Sequence, residues 1–322
     1  MLPPRDSVKI CFAHAAYRMK TCWDTLNTGI ASFEVRDRAE LDRLAHEADV
    51  IVCSGMWQNG LIQSATRLKF IQSISSGTDQ YDKPALAAAG IRLASAAGVN
   101  ARAVAEHAIG LILALSRRLP EARDNQAQRL WRGMIGDLTQ REDELGGKTL
   151  IVVGLGRIGG RLARLAKAFD MNVIGFRGTP AAGAGDADSV HPLSELRDHL
   201  PKADFVALTC PLTPETKHVI DAVALGKMRK SAYVVYVARG GCVDEPALIA
   251  SLQAGTIAGA ALDCTDPEPP SYDSALWSMP NVLITPHTGG ETTQYEKNVN
   301  EILLENLERL WRDEIVLRNQ IV

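Results

Sequence analysis

The chain has 322 residues, 46% apolar and 23% charged, enough for two domains of ordinary size, each with its own core. Its 35 Lys and Arg against 38 Asp and Glu leave a formal charge of -3 and a pI near 6.2. That balance excludes the basic footprint needed for nucleic acid or an anionic membrane surface, and small-molecule chemistry remains.

The first residues, MLPPRDSVKICFAH, lack a charged region followed by a long apolar stretch, so no signal peptide is read here and a cytoplasmic protein is expected. The runs VKICF (8–12), VIVC (50–53), KFIQSI (69–74) and IRLA (91–94) are short, apolar and separated by helix-length sequence. They predict one small doubly wound parallel unit. In the loop GMWQN (55–59), Trp57 either walls a substrate pocket or simply packs. A long helix is predicted from about Ala101, with Val104, Ala108, Leu111, Ile112 and Leu115 on one face and Pro120 marking its end. Its most apolar run, AIGLILALS (108–116), ends in Arg117 and Arg118 and is far short of the ~20 residues of a membrane span. The polar stretch 121–147 carries Trp131 and no clear strand, which reads as an arm or connector ending at the Gly146–Gly147 turn. Arms of this kind pack on a second subunit.

A second series of strands begins at Thr149: TLIVV, NVIGF (172–176), FVALT (205–209), YVVYV (233–237), GAALD (259–263) and VLIT (282–285). Six strands suit a full dinucleotide fold. TPAAGAGDAD (179–188) reads as a loop. Near the C-terminus Val299, Ile302, Leu303, Leu307 and Leu310 share a helix face, and the polar linker 288–298 would let that helix return to the first unit. The expected architecture is α/β: two doubly wound parallel-sheet domains, Rossmann-like or flavodoxin-like, with an active-site cleft between them. A discontinuous substrate domain, 1–100 plus 292–322, is paired with a dinucleotide domain, 101–291. The six cysteines (Cys11, Cys22, Cys53, Cys210, Cys242, Cys264) form no CxxC pair and have no His at ligand spacing, so reduced thiols are expected and neither a metal nor a disulfide framework is. Cys210 and Cys264 fall near loops of the candidate site but read as small buried hydrophobes.

Gly154, Gly156 and Gly159 form GxGxxG between the strand TLIVV and an amphipathic helix carrying Leu162, Leu165, Ala166 and Phe169. In that context glycines permit a tight turn, close approach of backbone to a pyrophosphate and close helix–strand packing. The helix N-terminus adds amide donors. Arg177 ends the next strand, where NAD-binding proteins place an acid to accept from the ribose hydroxyls. A guanidinium cannot accept those bonds but can pair with a 2′-phosphate. NADP is therefore favoured, with NAD the alternative if the arginine stacks on adenine or is a solvated charge. Arg239, Glu268 and His287 each stand just beyond a predicted strand, where ligands of open α/β sheets collect.

The succession GLGRIGG, TCPLTPETKHVI, VARGGCVDEPALIASLQAGTIAGAALD, Glu268 in PEPP, and LWSMPNVLITPHTGG resembles the D-isomer-specific 2-hydroxyacid dehydrogenases. That family includes phosphoglycerate, hydroxypyruvate/glyoxylate and D-lactate dehydrogenases. The likeness extends upstream through SSGTDQYD (75–82) and VNARAVAEHAIGLILALSRRLP (99–120). It implies a catalytic Arg239, Glu268 and His287. Arg239 would hold the substrate carboxylate, His287 would pass a proton to the 2-oxo oxygen, and Glu268 would fix the imidazole tautomer. It also implies Arg157 and Ile158 against the pyrophosphate, Pro211 beside the adenosine half, and Val237, Ala238 and Asp263 around the nicotinamide. Gly289 and Gly290 would pass close to the cofactor. Backbone amides at Ser76 and Gly77 would hold the carboxylate. For Asp263 the alternative is an acid that merely terminates a strand.

The expected activity is reduction of a small 2-oxo acid, glyoxylate or hydroxypyruvate first, by a homodimer joined through 101–147. The alternatives are oxidation of a D-2-hydroxy acid such as 3-phosphoglycerate, formate or phosphite oxidation, and a dinucleotide-sensing binding module. Formate enzymes of the family carry Gln where Glu268 stands. The absence of sequence after Val322 counts against a serine-regulated phosphoglycerate enzyme.

Overall fold

Runs of β-branched and aliphatic residues, apolar on both faces, become parallel strands because helices cover each side of the sheet. The computed structural model describes residues 2–322, in two units: the chain up to Asn100 with Thr292–Val322, and Ala101–Glu291.

The first unit holds a five-stranded parallel sheet of β1 (Lys9–Ala13), β2 (Ala31–Val35), β3 (Val50–Cys53), β4 (Phe70–Ser73) and β5 (Arg92–Ala94), in the order β2-β1-β3-β4-β5. Alternate residues divide between two cores. Ile10, Phe12, Val50 and Val52 face one side with Trp23 and Phe70, while Cys11, Ala13, Ile51 and Cys53 face the other with Leu41 and Leu86. The helix Tyr295–Trp311 closes the first core through Val299, Ile302, Leu303 and Leu307, each contributing about 1.5–3 kcal/mol by burial. Asn306 on that helix is fully buried and donates to Gln72 Oε1 at 3.0 Å, which satisfies a polar pair within the sheet's covering layer.

The second unit holds β6 (Thr149–Val153), β7 (Asn172–Phe176), β8 (Ser189–His191), β9 (Phe205–Leu208), β10 (Tyr233–Tyr236), β11 (Gly259–Leu262) and β12 (Val282–Ile284). All pair in parallel, in the order β12-β11-β10-β9-β6-β7-β8. The helix Ala101–Ser116 buries Val104, Ala105, Ala108, Leu111 and Ile112 against this sheet and the helix Arg157–Ala168. Among the described residues no helix is long and apolar enough to cross a membrane.

Three expectations need correction. Strands β2 and β8 were not anticipated: each is an edge strand of partly exposed residues without a continuous apolar run. Pro120 does not simply end the long helix; that helix stops at Ser116, and Pro120 sits in the first turn of a second one, Leu119–Ala127, where its missing N–H costs nothing. Trp57 is 4% exposed and packs in the first unit's core against Tyr81, with Nε1 donating to Asn59 Oδ1 at 2.9 Å, so it is a packing residue. The stretch 128–147 is irregular apart from a 3-10 turn at Leu138–Gln140, and it leaves Trp131, Met134 and Leu138 exposed.

Candidate active site

The winding of the second sheet reverses beside β6, and the glycine segment follows that strand directly. Gly154 has φ +99, and a Cβ there would lie 2.6 Å from the Cys210 backbone. A Cβ on Gly159 would strike the Gly154 carbonyl and come within 2.7 Å of Thr209 Oγ1. Thr209 itself donates to the Gly154 carbonyl at 2.8 Å and fixes the turn. Among the described residues nothing stands within 4 Å of a Cβ on Gly156, at the N-cap of the helix Arg157–Ala168. Crowded glycines on either side thus press the chain into a turn whose middle stays open. That cradle, with a helix N-terminus behind it, fits a pyrophosphate. Arg157 opens the helix exposed, and Ile158 is half-buried against the core.

Arg177 follows β7 without a break. Its backbone N–H donates to His191 O at 3.2 Å and its guanidinium to Gly183 O at 3.3 Å, and among the described residues it forms no ion pair. Pro211 is exposed, its carbonyl accepting from Thr216 Oγ1 at 2.7 Å. Val237 and Ala238 leave β10 buried, and Arg239 then emerges exposed, with Nη1 donating to the Ala238 carbonyl at 2.8 Å. The Tyr236 hydroxyl donates to Arg239 O and accepts from Cys242 N at 3.1 Å, which pins the backbone that carries the arginine.

Beyond β11 and β12 the structure brings together what the sequence holds apart. His287 Nδ1 lies 2.6 Å from Glu268 Oε1, with both side chains about two-fifths exposed (41% and 42%). His287 has φ +54, in the left-handed region, and its N–H donates to Thr285 O at 2.9 Å. Asp263, 4% exposed, accepts from Thr285 Oγ1 at 2.6 Å, Thr288 N at 3.0 Å and Gly289 N at 3.0 Å. Burial pushes its carboxyl up, but donation from His107, Thr285 and Gly289 outweighs that and holds it below the usual carboxylate range. Most of its acceptor capacity is therefore spent inside the protein, organising the turn that carries His287, Gly289 and Gly290.

His107 escaped sequence reading. It interrupts the apolar face of the long helix, and its Nε2 sits 2.9 Å from Thr285 Oγ1 and 3.4 Å from Asp263 Oδ1. The available signal was a polar side chain three residues after Val104 on a buried stripe. All six cysteines are free, and burial pushes the Cys264 thiol up to about 12, as for an inert core residue.

In the first unit, Ser76 and Gly77 are exposed on the turn after β4. Ser75 holds that turn: its Oγ donates to Gly77 O at 3.1 Å and lies 2.5 Å from Ser54 Oγ, which accepts from Gln80 Nε2 at 2.9 Å.

A parallel α/β sheet with a glycine cradle at its reversal point defines a dinucleotide-binding class of protein. The model of the D-isomer specific 2-hydroxyacid dehydrogenase NAD binding domain matches residues 109–289. The chain belongs to the D-isomer-specific 2-hydroxyacid dehydrogenase family. It is 36% identical over 280 residues to D-3-phosphoglycerate dehydrogenase of Methanocaldococcus jannaschii, covering 86% of this chain and 52% of the relative. With glyoxylate reductase of Thermofilum pendens the identity is 36% over 279 residues, 84% of this chain and 80% of the relative. The solved structure of the TT0316 protein from Thermus thermophilus superposes with a TM-score of 0.81 at 30% identity, covering 98% of this chain and 100% of that one. The chain spans about half the length of the phosphoglycerate dehydrogenases it matches.

Proposed function

We propose that this protein is an NAD(P)-dependent reductase of small 2-oxo acids, with glyoxylate and hydroxypyruvate the first substrates to test and NADPH the favoured reductant. The observation that carries the reading is the His287–Glu268 contact at 2.6 Å, on the same strand ends as the glycine cradle and Arg239. The bound nicotinamide supplies the hydride. The chain's residues do the rest.

Arg239 binds the substrate carboxylate through its forked donors and draws charge towards the 2-oxo oxygen. Glu268 accepts from His287 Nδ1–H, which leaves Nε2 as the proton donor. As hydride reaches the carbonyl carbon, the Nε2 proton goes to the oxygen, giving the hydroxyl of the D-2-hydroxy acid and a neutral imidazole. The glycine cradle, Arg157 and Ile158 receive the pyrophosphate, Pro211 borders the adenosine half, Val237, Ala238, Gly289 and Gly290 border the nicotinamide, and Asp263 supports that border through Gly289 and Thr288. Arg177 is assigned the 2′-phosphate, because it stands directly after β7 with no carboxylate paired to it among the described residues.

The exposed Trp131, Met134 and Leu138 support the arm as the seam of a homodimer. The free cysteines fit a reducing, cytoplasmic compartment. NADPH oxidation by the purified protein, followed against a panel of 2-oxo acids, tests the reading. Turnover with glyoxylate or hydroxypyruvate is expected, and no turnover with any 2-oxo acid at micromolar enzyme would remove it.

A further inference from the structure

The outer edge of the seven-stranded sheet carries a cluster of donors that the chemistry above does not use. β8 ends at His191, and after Pro192 the chain turns at once into helical structure, 193–195 and then Leu196–His199. Glu195 and His199 stand four residues apart there and share a face. One ring nitrogen of each histidine and one carboxylate oxygen of Glu195 lie within 4.8 Å of one another. The two imidazoles are 4.2 Å apart between centroids, and Phe176 of β7 packs against both, at 5.8 and 5.5 Å.

An ordinary ion pair explains part of this arrangement. His191 Nδ1 is 2.9 Å from Glu195 Oε2, and its Nε2 is 3.2 Å from Ser189 Oγ. It leaves His199 unexplained, because Nδ1 of that residue is buried with no hydrogen-bond partner among the described residues. A buried polar atom without a partner is unfavourable unless something supplies the missing bond. The three residues stand four apart in the sequence and come together where the edge strand turns into the helix.

We propose that His191, Glu195 and His199 form a binding site for one divalent cation of the zinc class. Two imidazole nitrogens and one carboxylate oxygen are a donor set that Zn2+ takes with water in the fourth position. Mg2+ and Ca2+ demand oxygen donors and do not suit it. Tetrahedral bonds of about 2.0–2.2 Å bring donors to about 3.3 Å of one another, so the His191–Glu195 pair is already that close and side-chain rotation of His199 closes the remainder. Glu195, half exposed, gives the ion a path from solvent. Because His191 O accepts from Arg177 N, the cation would tie the helical turn to the end of β8 beside that strand exit.

The full chain, free of any affinity tag and stripped with EDTA, is titrated calorimetrically with ZnSO4, and a parallel Co2+ titration is followed by absorption. One equivalent of zinc is expected, with a cobalt spectrum lacking the near-ultraviolet band of thiolate ligation. His191→Gln, His199→Gln and the surface change Glu195→Gln are each expected to weaken binding by at least ~10-fold. Glu195→Gln keeps the measurement decisive even if a histidine variant folds poorly. Wild-type protein that binds no zinc, a thiolate band with cobalt, or unchanged affinity in Glu195→Gln and the histidine variants would overturn the site.

Discussion

Both sheets reverse their winding beside their first strand, though in different strand orders, and they place different side chains at that turning point. After β6 come glycines, with an open position at Gly156. After β1 comes His14, whose Nδ1 accepts from the N–H groups of Ala16 at 3.1 Å and Tyr17 at 2.7 Å while its ring stacks on Tyr17 at 4.4 Å. Amides that would meet a phosphate are already bonded there. An arginine directly follows the next strand in both sheets, yet the two arginines differ. Arg36, after β2, donates to His14 O at 3.2 Å and Tyr17 O at 2.9 Å and pairs with Glu34 at 2.5 Å. Arg177, after β7, has one long bond to Gly183 O at 3.3 Å and no ion pair among the described residues. The difference teaches that doubly wound topology alone carries no cofactor; the residues in the first turn and at the next strand exit decide it.

The largest expected effect lies on the functional side of the comparison. His287→Ala should lower kcat by about 10²–10⁴ while leaving cofactor binding nearly intact, since it removes the proton donor and not the cradle. Steady-state kinetics with nucleotide fluorescence titration reads both, and a rate within a fewfold of wild type would end the acid assignment. Gly154→Ala comes next. Its Cβ would meet the Cys210 backbone at 2.6 Å in a residue of φ +99, so overpacking and left-handed strain together should cost about 2–4 kcal/mol in urea unfolding. Ala15→Gly, at the corresponding turn of the first unit, should change stability by no more than about 1 kcal/mol. Equal losses would erase the distinction between the turns.

A smaller effect concerns pH. Burial, and then the Arg36 guanidinium, hold His14 below the usual histidine range, which keeps its Nδ1 an acceptor. The folded pKa is depressed, so this contribution is present above the unfolded value of about 6.5 and is lost as pH falls through the folded one. Melting temperature should therefore drop on acidification below that value, and His14→Gln should flatten that part of the profile. A variant with the wild-type slope would place the titration elsewhere.

The central strands were legible because burial on both faces leaves nearly continuous apolar runs such as VIVC and TLIVV. The strands that escaped, ASFEV and SVH, lie at sheet edges, where half-exposed Ser, Glu and His break the run. At the site, the glycine spacing was readable because steric need fixes glycine at 154 and 159. The bond between His107 and Thr285 spans 178 residues and leaves no local pattern, so only the fold discloses it. Trp57 could not be assigned from a lone aromatic, since a ring that packs and a ring that lines a pocket look alike in sequence.

The contrast between Arg36 and Arg177 is tested most directly by the ratio of kcat/KM for NADPH over NADH, with glyoxylate or hydroxypyruvate as substrate. The wild type should favour NADPH, and Arg177→Asp should shift the ratio towards NADH by about ten- to a hundredfold, the worth of one charge-assisted contact. Arg36→Asp should leave the ratio unchanged. A ratio unmoved by Arg177→Asp, or moved equally by Arg36→Asp, would contradict the assignment of the 2′-phosphate to Arg177.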